Sequence, residues 1–305
     1  MEKKIYSQII DQSAIIILHY GNPDITHHCI SSFYHSGATP DIILIDNDPK
    51  NRYRFSPNSN VITLTQEKNV GFATGVNLGL KKAMELGKKT VLLLNNDVEA
   101  PLKSILRLLW HAGTFSCLFG GIEFAMNKDD DKKKRHTSEI IFAGGDVVWQ
   151  ETAVRIRKIP KDFKKKYPTQ FIRGSCMAIP LKMIRHIGFM EEKYWAYLED
   201  VDFCLKASRA KYQLLIDPEA FVWHRVSQGF DPYLRNYLMA RNYIRLLDAY
   251  ANGPVFIKGM ALGLLAALAS LFRPERTGKF KGFMAGLLSI YEIIRKITGI
   301  LRIKI

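Results

Sequence analysis

Cysteine is scarce: Cys29, Cys117, Cys176 and Cys204 stand far apart among 305 residues and form no CxxC pair. That spacing disfavours a zinc ribbon or a disulfide scaffold and makes a reducing compartment the simplest setting. The glycines contain no GxGxxG, so the dinucleotide-binding fingerprint is missing too. At the start, MEKKIYSQIIDQSAIIILHY offers only a short apolar run, which a first strand explains better than a secretory signal. Acidic residues are outnumbered, 29 against 44 Lys and Arg, for a formal charge of +15. The expected partner is therefore anionic: nucleic acid, acidic phospholipid or a phosphorylated small molecule, among which charge alone does not choose.

What is present is a folding sequence, with 47% hydrophobic residues and ordinary glycine and proline content. Short β-branched runs at Ala14–Leu18, Ile42–Ile45, Val61–Leu64 and Val91–Leu94 alternate with helical patterns. Wholly apolar strands of this kind belong in a parallel sheet covered on both faces, so the first half reads β-α-β-β-α-β. Ligands of such sheets collect beyond the strands' carboxyl ends. There stand Tyr20-Gly21-Asn22, Asp46-Asn47-Asp48 and Asn95-Asn96-Asp97. A charged stretch from Asn127 to Ser138 and a second at Arg155–Pro168 read as solvated loops, with a nucleic-acid patch as the sharper alternative. Next come a strand-like Phe171–Ile179, a helix from about Asp200 to Lys211, and short strands near Leu214–Ile216 and Phe221–Trp223.

The tail differs in kind. Val255–Phe272 is almost wholly apolar with one lysine, and beyond Ala251 nine basic residues face two acidic ones, Glu275 and Glu292. The pattern fits a helix lying in a membrane interface with basic neighbours on anionic head groups, a span at the short end of the usual length, or a soluble helical hairpin. The first is favoured, and Gly259 with Gly263 forms a GxxxG that leaves a packing or homo-oligomer contact open.

Three stretches carry chemistry. In VLLLNNDVEAP a strand ends on two amides and a carboxylate, so Asp97 suits an oxygen-bound Mg2+ or Mn2+; capping of the next helix is the structural alternative. In NVGFATGVNLGL the glycines Gly71, Gly75 and Gly79 recur every four residues, placing them on one helix face for close packing, and the helix start would offer N–H groups to an anion. In YWAYLEDVDFCLKA three acids, Glu199, Asp200 and Asp202, follow aromatic residues, where one carboxylate can be desolvated into a base. Acids at a helix start would account for one or two of them.

Together NVGFATGVNLGL, VLLLNNDVEAP, RGSCMAIP, YLEDVDFCLKA and YLRNYLMARNYIRLL occur in an order and spacing that resembles the family 2 glycosyltransferases, particularly the rhamnosyltransferase-like branch, over about residues 12 to 250. The resemblance implies an α/β GT-A fold with a mainly parallel central sheet. It divides residues 1–250 into a nucleotide-sugar-binding half, about 1–124, and an acceptor-binding half, 125–250, while the composition of the tail makes 251–305 membrane-associating helices. It implies an inverting transfer of rhamnose or a hexose from a nucleoside-diphosphate donor to a glycan or lipid-linked acceptor, aided by Mg2+ or Mn2+.

By resemblance, Asp200 is the base with Glu199 beside it. Tyr20, Asp46, Asn69, Gly71, Asn95, Asn96, Asp97, Arg173 and Gly174 serve the donor, with Ser175 bordering it. Trp195 and Asp202 serve the acceptor, while Asp97 and His224 hold the metal. Asn95 departs from the two-aspartate form of the metal motif. The expected setting is the cytoplasm, peripheral at the inner face of the cell membrane, without nucleic acid as a partner. A non-catalytic basic module for nucleic acid or membrane leaves the rim carboxylates unexplained. A sugar nucleotidyltransferase would need a Gly- and Arg-rich phosphate loop, which LHYGNPDITHH lacks.

Overall fold

In a computed structural model the four β-branched runs become strands: β1 (Ser13–His19), β2 (Asp41–Asp46) and β4 (Thr90–Asn95), which are buried, and β3 (Val61–Thr65), an edge strand that is half-buried to exposed. The structure describes residues 2–35, 38–54, 61–127, 136–151, 153–157, 165–225, 231–271 and 278–288. Much of the two charged loops, and the basic tail past residue 288, lie outside the described residues. Strands β3, β2, β1 and β4 are neighbours in that order and all parallel, with Ile16 facing Ile43 on one side and Leu93 on the other. Burial on both faces explains the unbroken runs of Ile and Leu in β1, β2 and β4.

The sheet continues as a mixed one. After β5 (Val98–Glu99) and β6 (Leu118–Met126) come β7 (His136–Phe142), β8 (Gly145–Val148), β9 (Ala153–Ile156), β10 (Tyr167–Pro168), β11 (Cys176–Pro180) and β12 (Leu214–His224). The ten-stranded sheet runs β10-β12-β6-β11-β4-β1-β2-β3, with β5 added on β12 and β7 on β6. Strand β11 is antiparallel to both β4 and β6, whereas β6 and β12 are parallel. Strands β6 and β12 therefore point the same way as β4, and their carboxyl ends share its rim.

Helices α1 (Glu2–Gln12), α2 (Pro23–Ser31), α3 (Phe72–Glu85), α4 (Leu102–Phe115), α5 (Leu181–Ile187) and α6 (Glu199–Arg209) cover the sheet. The glycine spacing on α3 serves close packing: a Cβ on Gly79 would stand 2.5 Å from Ile16 Cγ2, and one on Gly75 would stand 2.6 Å from Leu18 Cδ2. A core of Ile15, Ile17, Leu44, Leu92, Leu94 and Phe119 fills the other face, against α2 and α4.

Three readings change. The N-terminal stretch is a helix as well as a prelude to β1. The strand expected over Phe171–Ile179 is confined to Cys176–Pro180, because the Arg173-Gly174-Ser175 turn occupies its first part. The two short strands expected after α6 are one strand, β12, whose register shifts between Ile216 and Phe221 around Asp217-Pro218.

By internal contacts the chain forms two units, the first comprising Met1–Asp146, Arg155–Trp195 and Glu199–Gln228. The second comprises Val147–Val154, Ala196–Leu198 and Gly229–Ile305. Its helices α7 (Pro232–Tyr250) and α8 (Gly253–Ser270) pair with helical residues 278–288 around Ile244, Ala267 and Phe283.

Candidate active site

The rim clusters named from sequence meet through hydrogen bonds. The Asn96 amide donates to Tyr20 O at 3.2 Å and to Thr26 Oγ1 at 2.9 Å. Asp48 accepts from Gly21 N at 3.0 Å and from Lys50 N at 2.9 Å. Burial would raise the Asp48 pKa, but the bonds from Asn51 and from the amides of Lys50 and Gly21 win and lower it. Asp46, at the end of β2, pairs with Arg52 at 3.3 Å and keeps Oδ1 buried without a hydrogen bond. Next to it, Asn47 accepts from Val70 N at 2.9 Å and donates to Asn69 Oδ1 at 3.0 Å, and Asn69 Oδ1 also accepts from Gly71 N at 2.9 Å. These bonds set the loop that leads into α3.

Gly71 must be glycine for two reasons. Its φ is +86°, and a Cβ there would stand 2.5 Å from the Trp195 ring. The N–H groups at the start of α3 are not open to an anion as expected from sequence. The Trp195 carbonyl accepts them, from Phe72 N at 2.6 Å and Ala73 N at 3.2 Å. Trp195 itself has φ +65°, and Tyr197 and Leu198 also lie in the left-handed region, so the approach to Glu199 is a strained turn.

Asp97 follows β4 in a tight turn, and its carbonyl accepts from Arg225 N at 3.0 Å. It does not cap α4, whose N-cap is Pro101. Asp97 Oδ1 is buried without a hydrogen bond, and His224 Nε2 lies 3.3 Å away, close enough to attract but poorly aligned to donate. The other ring nitrogen, Nδ1, is 3.1 Å from Glu123 Oε2. Although burial favours the neutral ring, Asp97 and Glu123 push the His224 pKa up to about 10. The protonated ring is the cation between two carboxylates.

Glu123, only 1% exposed on β6, is the centre of this network. Oε2 also receives Arg173 at 3.2 Å, while Oε1 receives the Ser175 hydroxyl. Burial would raise its pKa, but His224, Arg173 and Ser175 together hold it below the usual carboxylate value. Arg173 lies over the Phe142 ring at 4.7 Å. Ser175 O accepts from Asn95 N at 3.0 Å, tying this turn to the end of β4.

Gly174 continues the chain of contacts to α6. Its N–H donates to Asp200 Oδ2 at 3.0 Å, and Val201 N donates to Asp200 Oδ1 at 2.8 Å. Burial raises the Asp200 pKa, and the bonds from Gly174 and Val201 with the nearby Arg173 only partly oppose it. Glu199 is pushed well above its ordinary value by burial and then by Asp200, and its Oε2 is buried without a partner. Both carboxyls are thus held above their ordinary values, Glu199 the further of the two. Asp202 is buried and accepts from the Tyr194 hydroxyl at 3.3 Å.

Asp97, His224, Glu123, Arg173 and Ser175, Gly174 and Asp200 therefore form one unbroken series of contacts. Asp46, Asn69 and Gly71 form a second group, joined to it where the Phe72 ring faces Gly174. Glu123 was not singled out from sequence. The available signal was one acid inside the nine residues LFGGIEFAM, otherwise apolar or glycine.

No family model matches the chain. It is 23% identical over 212 residues to a low-salt glycan biosynthesis hexosyltransferase of Haloferax volcanii, covering 68% of this chain and 64% of that protein. Among solved structures it superimposes on GalNAc-T7 with UDP, GalNAc and Mn2+ at a TM-score of 0.62 and 16% identity, over 94% of this chain and 57% of that one. It also superimposes on a Pyrobaculum calidifontis mannosyltransferase with GDP-Man and Mn2+ at a TM-score of 0.51 and 10% identity, over 91% and 86%. The chain thus spans less than two thirds of the length of the hexosyltransferase and of GalNAc-T7. The fold is GT-A, that of the nucleotide-diphospho-sugar transferases.

Proposed function

We propose that the protein is an inverting glycosyltransferase that moves rhamnose or a hexose from a nucleoside-diphosphate donor to a hydroxyl of a glycan or lipid-linked acceptor. The observation that carries this reading is the contact series joining Asp97 to Asp200 through His224, Glu123 and the Arg173–Ser175 turn. It brings Asp97 and Asp200 onto one rim, which supports giving the first the cation and the second the acceptor's proton. The hexosyltransferase relative and the GT-A neighbours point the same way.

The residues present fit a divalent cation. Asp97 Oδ1 is an unbonded buried oxygen 3.3 Å from His224 Nε2, which would give up its proton to serve as a ligand beside it. Glu123 behind Nδ1 orients the ring as outer-shell carboxylates do. Among the described residues no group of three His, Cys, Asp or Glu could hold a metal, and Asp97 with His224 would be the residues that hold it. A cation held there would stabilise charge on the departing diphosphate as a Lewis acid.

Asp46 with its free Oδ1 serves the nucleotide base, with Asn69 and Gly71 shaping the pocket beside it and Tyr20, Asn95 and Asn96 lining the same rim. Arg173 and Gly174 border the donor sugar. Asp200, whose two oxygens each keep a lone pair beyond the bonds from Gly174 and Val201, accepts the proton of the attacking hydroxyl. One base with no enzyme nucleophile gives inversion at the anomeric carbon. Trp195 and Asp202 belong to the acceptor side, the latter through Tyr194. The acceptor is reached at an anionic membrane surface on the cytoplasmic side, to which the basic C-terminal region holds the enzyme.

The test is a screen of nucleotide sugars for transfer and hydrolysis with and without Mn2+, comparing the wild type with Asp97→Ala and Asp200→Asn. The expected outcome is that Asp97→Ala loses Mn2+-dependent donor binding, while Asp200→Asn binds donor normally and loses transfer. Equal turnover in all three proteins would sink the assignment.

A further inference from the structure

We infer that His19 is a positioning residue for the donor: acting through the Thr26 hydroxyl, it holds the Asn96 carboxamide with its oxygen outward, toward a donor group that brings a hydrogen or a positive charge. The inference rests on the donor role given to Asn96 above and adds how that side chain is aimed. His19 closes β1, SAIIILH, after an unbroken apolar run, and it is fully buried. Packing alone would be served by one more aliphatic residue, and a buried imidazole costs free energy unless its nitrogens are bonded. Both are: Nε2 lies 2.5 Å from Asn51 O, and Nδ1 lies 2.7 Å from Thr26 Oγ1.

The partners fix where the hydrogens are. Asn51 O is a carbonyl and can only accept, so Nε2 carries a hydrogen, and in the neutral ring Nδ1 is left as a bare lone pair. The Asn51 carbonyl is itself held in place, because Asn51 N donates to Asp48 Oδ1 at 3.2 Å and Asn51 Nδ2 to Asp48 Oδ2 at 3.1 Å. Thr26, also fully buried on α2, must then spend its one hydroxyl hydrogen on Nδ1. Its oxygen is thereby committed to accepting, and the Asn96 atom 2.9 Å away has to be the NH2 nitrogen. A second carbonyl agrees: Tyr20 O, 3.2 Å from the same nitrogen, can only accept as well.

Both hydrogens of the Asn96 amide are thus given to the protein, and Oδ1 is the atom left for a ligand on a half-buried side chain. Among the described residues Oδ1 accepts no hydrogen bond. Removing the acceptor at position 19 removes the constraint. Thr26 is then as free to donate to Asn96 as to accept from it, and only the longer bond to Tyr20 O opposes a turn that would present NH2 to the donor in place of oxygen. His19 therefore ties the end of β1, the loop after β2 and α2 to the residue beside Asp97, without touching the donor itself.

Isothermal titration calorimetry of the full-length protein with Mn2+ and UDP, GDP or dTDP in turn tests this, the tightest of the three serving as probe. Thr26→Val keeps the shape of the side chain and removes the hydroxyl, and it is expected to weaken the probe about tenfold, the worth of one hydrogen bond. Thr26→Ser, which keeps the hydroxyl, is expected to bind as the wild type does. His19→Phe should match Thr26→Val, with thermal melting of each variant reporting its fold; if His19→Phe does not fold, Thr26→Val carries the test. On an Asn96→Ala background neither substitution should weaken binding further, since both act through that amide. A loss of the same size with the amide absent would show His19 and Thr26 to support the fold alone and would overturn the inference, as would wild-type affinity in Thr26→Val or in Asn96→Ala. Those results would leave the transferase reading standing, because the wild type still binds the probe. A wild type that binds none of the three diphosphates with Mn2+ would overturn that reading and this inference with it.

Discussion

Glu123→Gln is a direct probe of the network, because the two carboxylate oxygens have different duties. Oε2 receives Arg173 and His224, while Oε1 receives the Ser175 hydroxyl. A glutamine can turn its carbonyl toward Arg173 and His224 and donate its NH2 to Ser175 Oγ, which accepts as readily as it donates. Shape and hydrogen bonds survive and only the charge is lost. Converting two charge-assisted bonds into neutral ones costs about 1 kcal/mol each. Arg173, with its side chain 26% exposed, recovers part of that from water, so a net loss of about 1–2 kcal/mol in stability is expected. Glu123→Ala, which takes from Arg173 its carboxylate and leaves His224 with Asp97 alone, should lose about 3 kcal/mol.

The functional readout is separate from stability. Without the carboxylate behind Nδ1, His224 becomes a weaker ligand, and Mn2+ affinity in the presence of a nucleoside diphosphate should fall about 10–100-fold. Free Mn2+ measured by electron paramagnetic resonance during titration gives that number, and denaturant unfolding gives the other. Mn2+ affinity equal to wild type in Glu123→Gln, with stability lowered, would refute a role for Glu123 beyond packing.

Further expectations are independent of the metal. Gly79→Ala puts a methyl group 2.5 Å from the stiff Cγ2 of Ile16, whereas Gly75→Ala meets the movable end of Leu18. Gly79→Ala should therefore cost about 1–2 kcal/mol net and Gly75→Ala close to nothing, since alanine regains about 1 kcal/mol of helix propensity; chemical denaturation of both ranks them. Asp217 is buried 2.8 Å from both His111 Nδ1 and Arg107 Nε. Burial would raise its pKa, but the bonds from His111 and Arg107 depress it to about 2. That depressed carboxylate adds about 2 kcal/mol of stability, fully present above its unfolded pKa near 4 and lost as pH falls through about 2. Asp217→Asn should remove this portion of the acid dependence in pH-dependent unfolding. Gly71→Ala should displace the Trp195 ring and disturb the Asn69–Gly71 loop beside Asp46, weakening donor binding and transfer together, as separate kcat and KM measurements would show.

How far the sequence reached follows from the range of each interaction. Three of the parallel strands, β1, β2 and β4, were legible because burial on both faces writes itself into consecutive Ile, Val and Leu, and the half-exposed β3 because its residues are β-branched. The close packing of Gly75 and Gly79 was legible because a helix repeats on four residues. The Arg173 turn and the bulge at Asp217-Pro218 were not, since an apolar run does not reveal where a backbone leaves the ladder. The α3 terminus was read as open because its acceptor, the Trp195 carbonyl, lies far along the chain and is turned by a strained φ. Glu123 stayed hidden for the same reason: its partners sit 50 and 101 residues away, at Arg173 and His224. The contribution of the resemblance was different again, naming Asp97 and Asp200 as parts of one site while leaving open what joins them.

The central claim is that the Asp97 edge and the Asp200 turn serve one substrate. An anomalous-difference map from crystals soaked with Mn2+ and a nucleotide sugar tests it most directly. The account predicts a single manganese peak against Asp97 Oδ1 and His224 Nε2, with the diphosphate on that ion and the sugar extending toward Gly174 and Asp200. Manganese bound elsewhere, or a sugar directed away from Asp200, would contradict it.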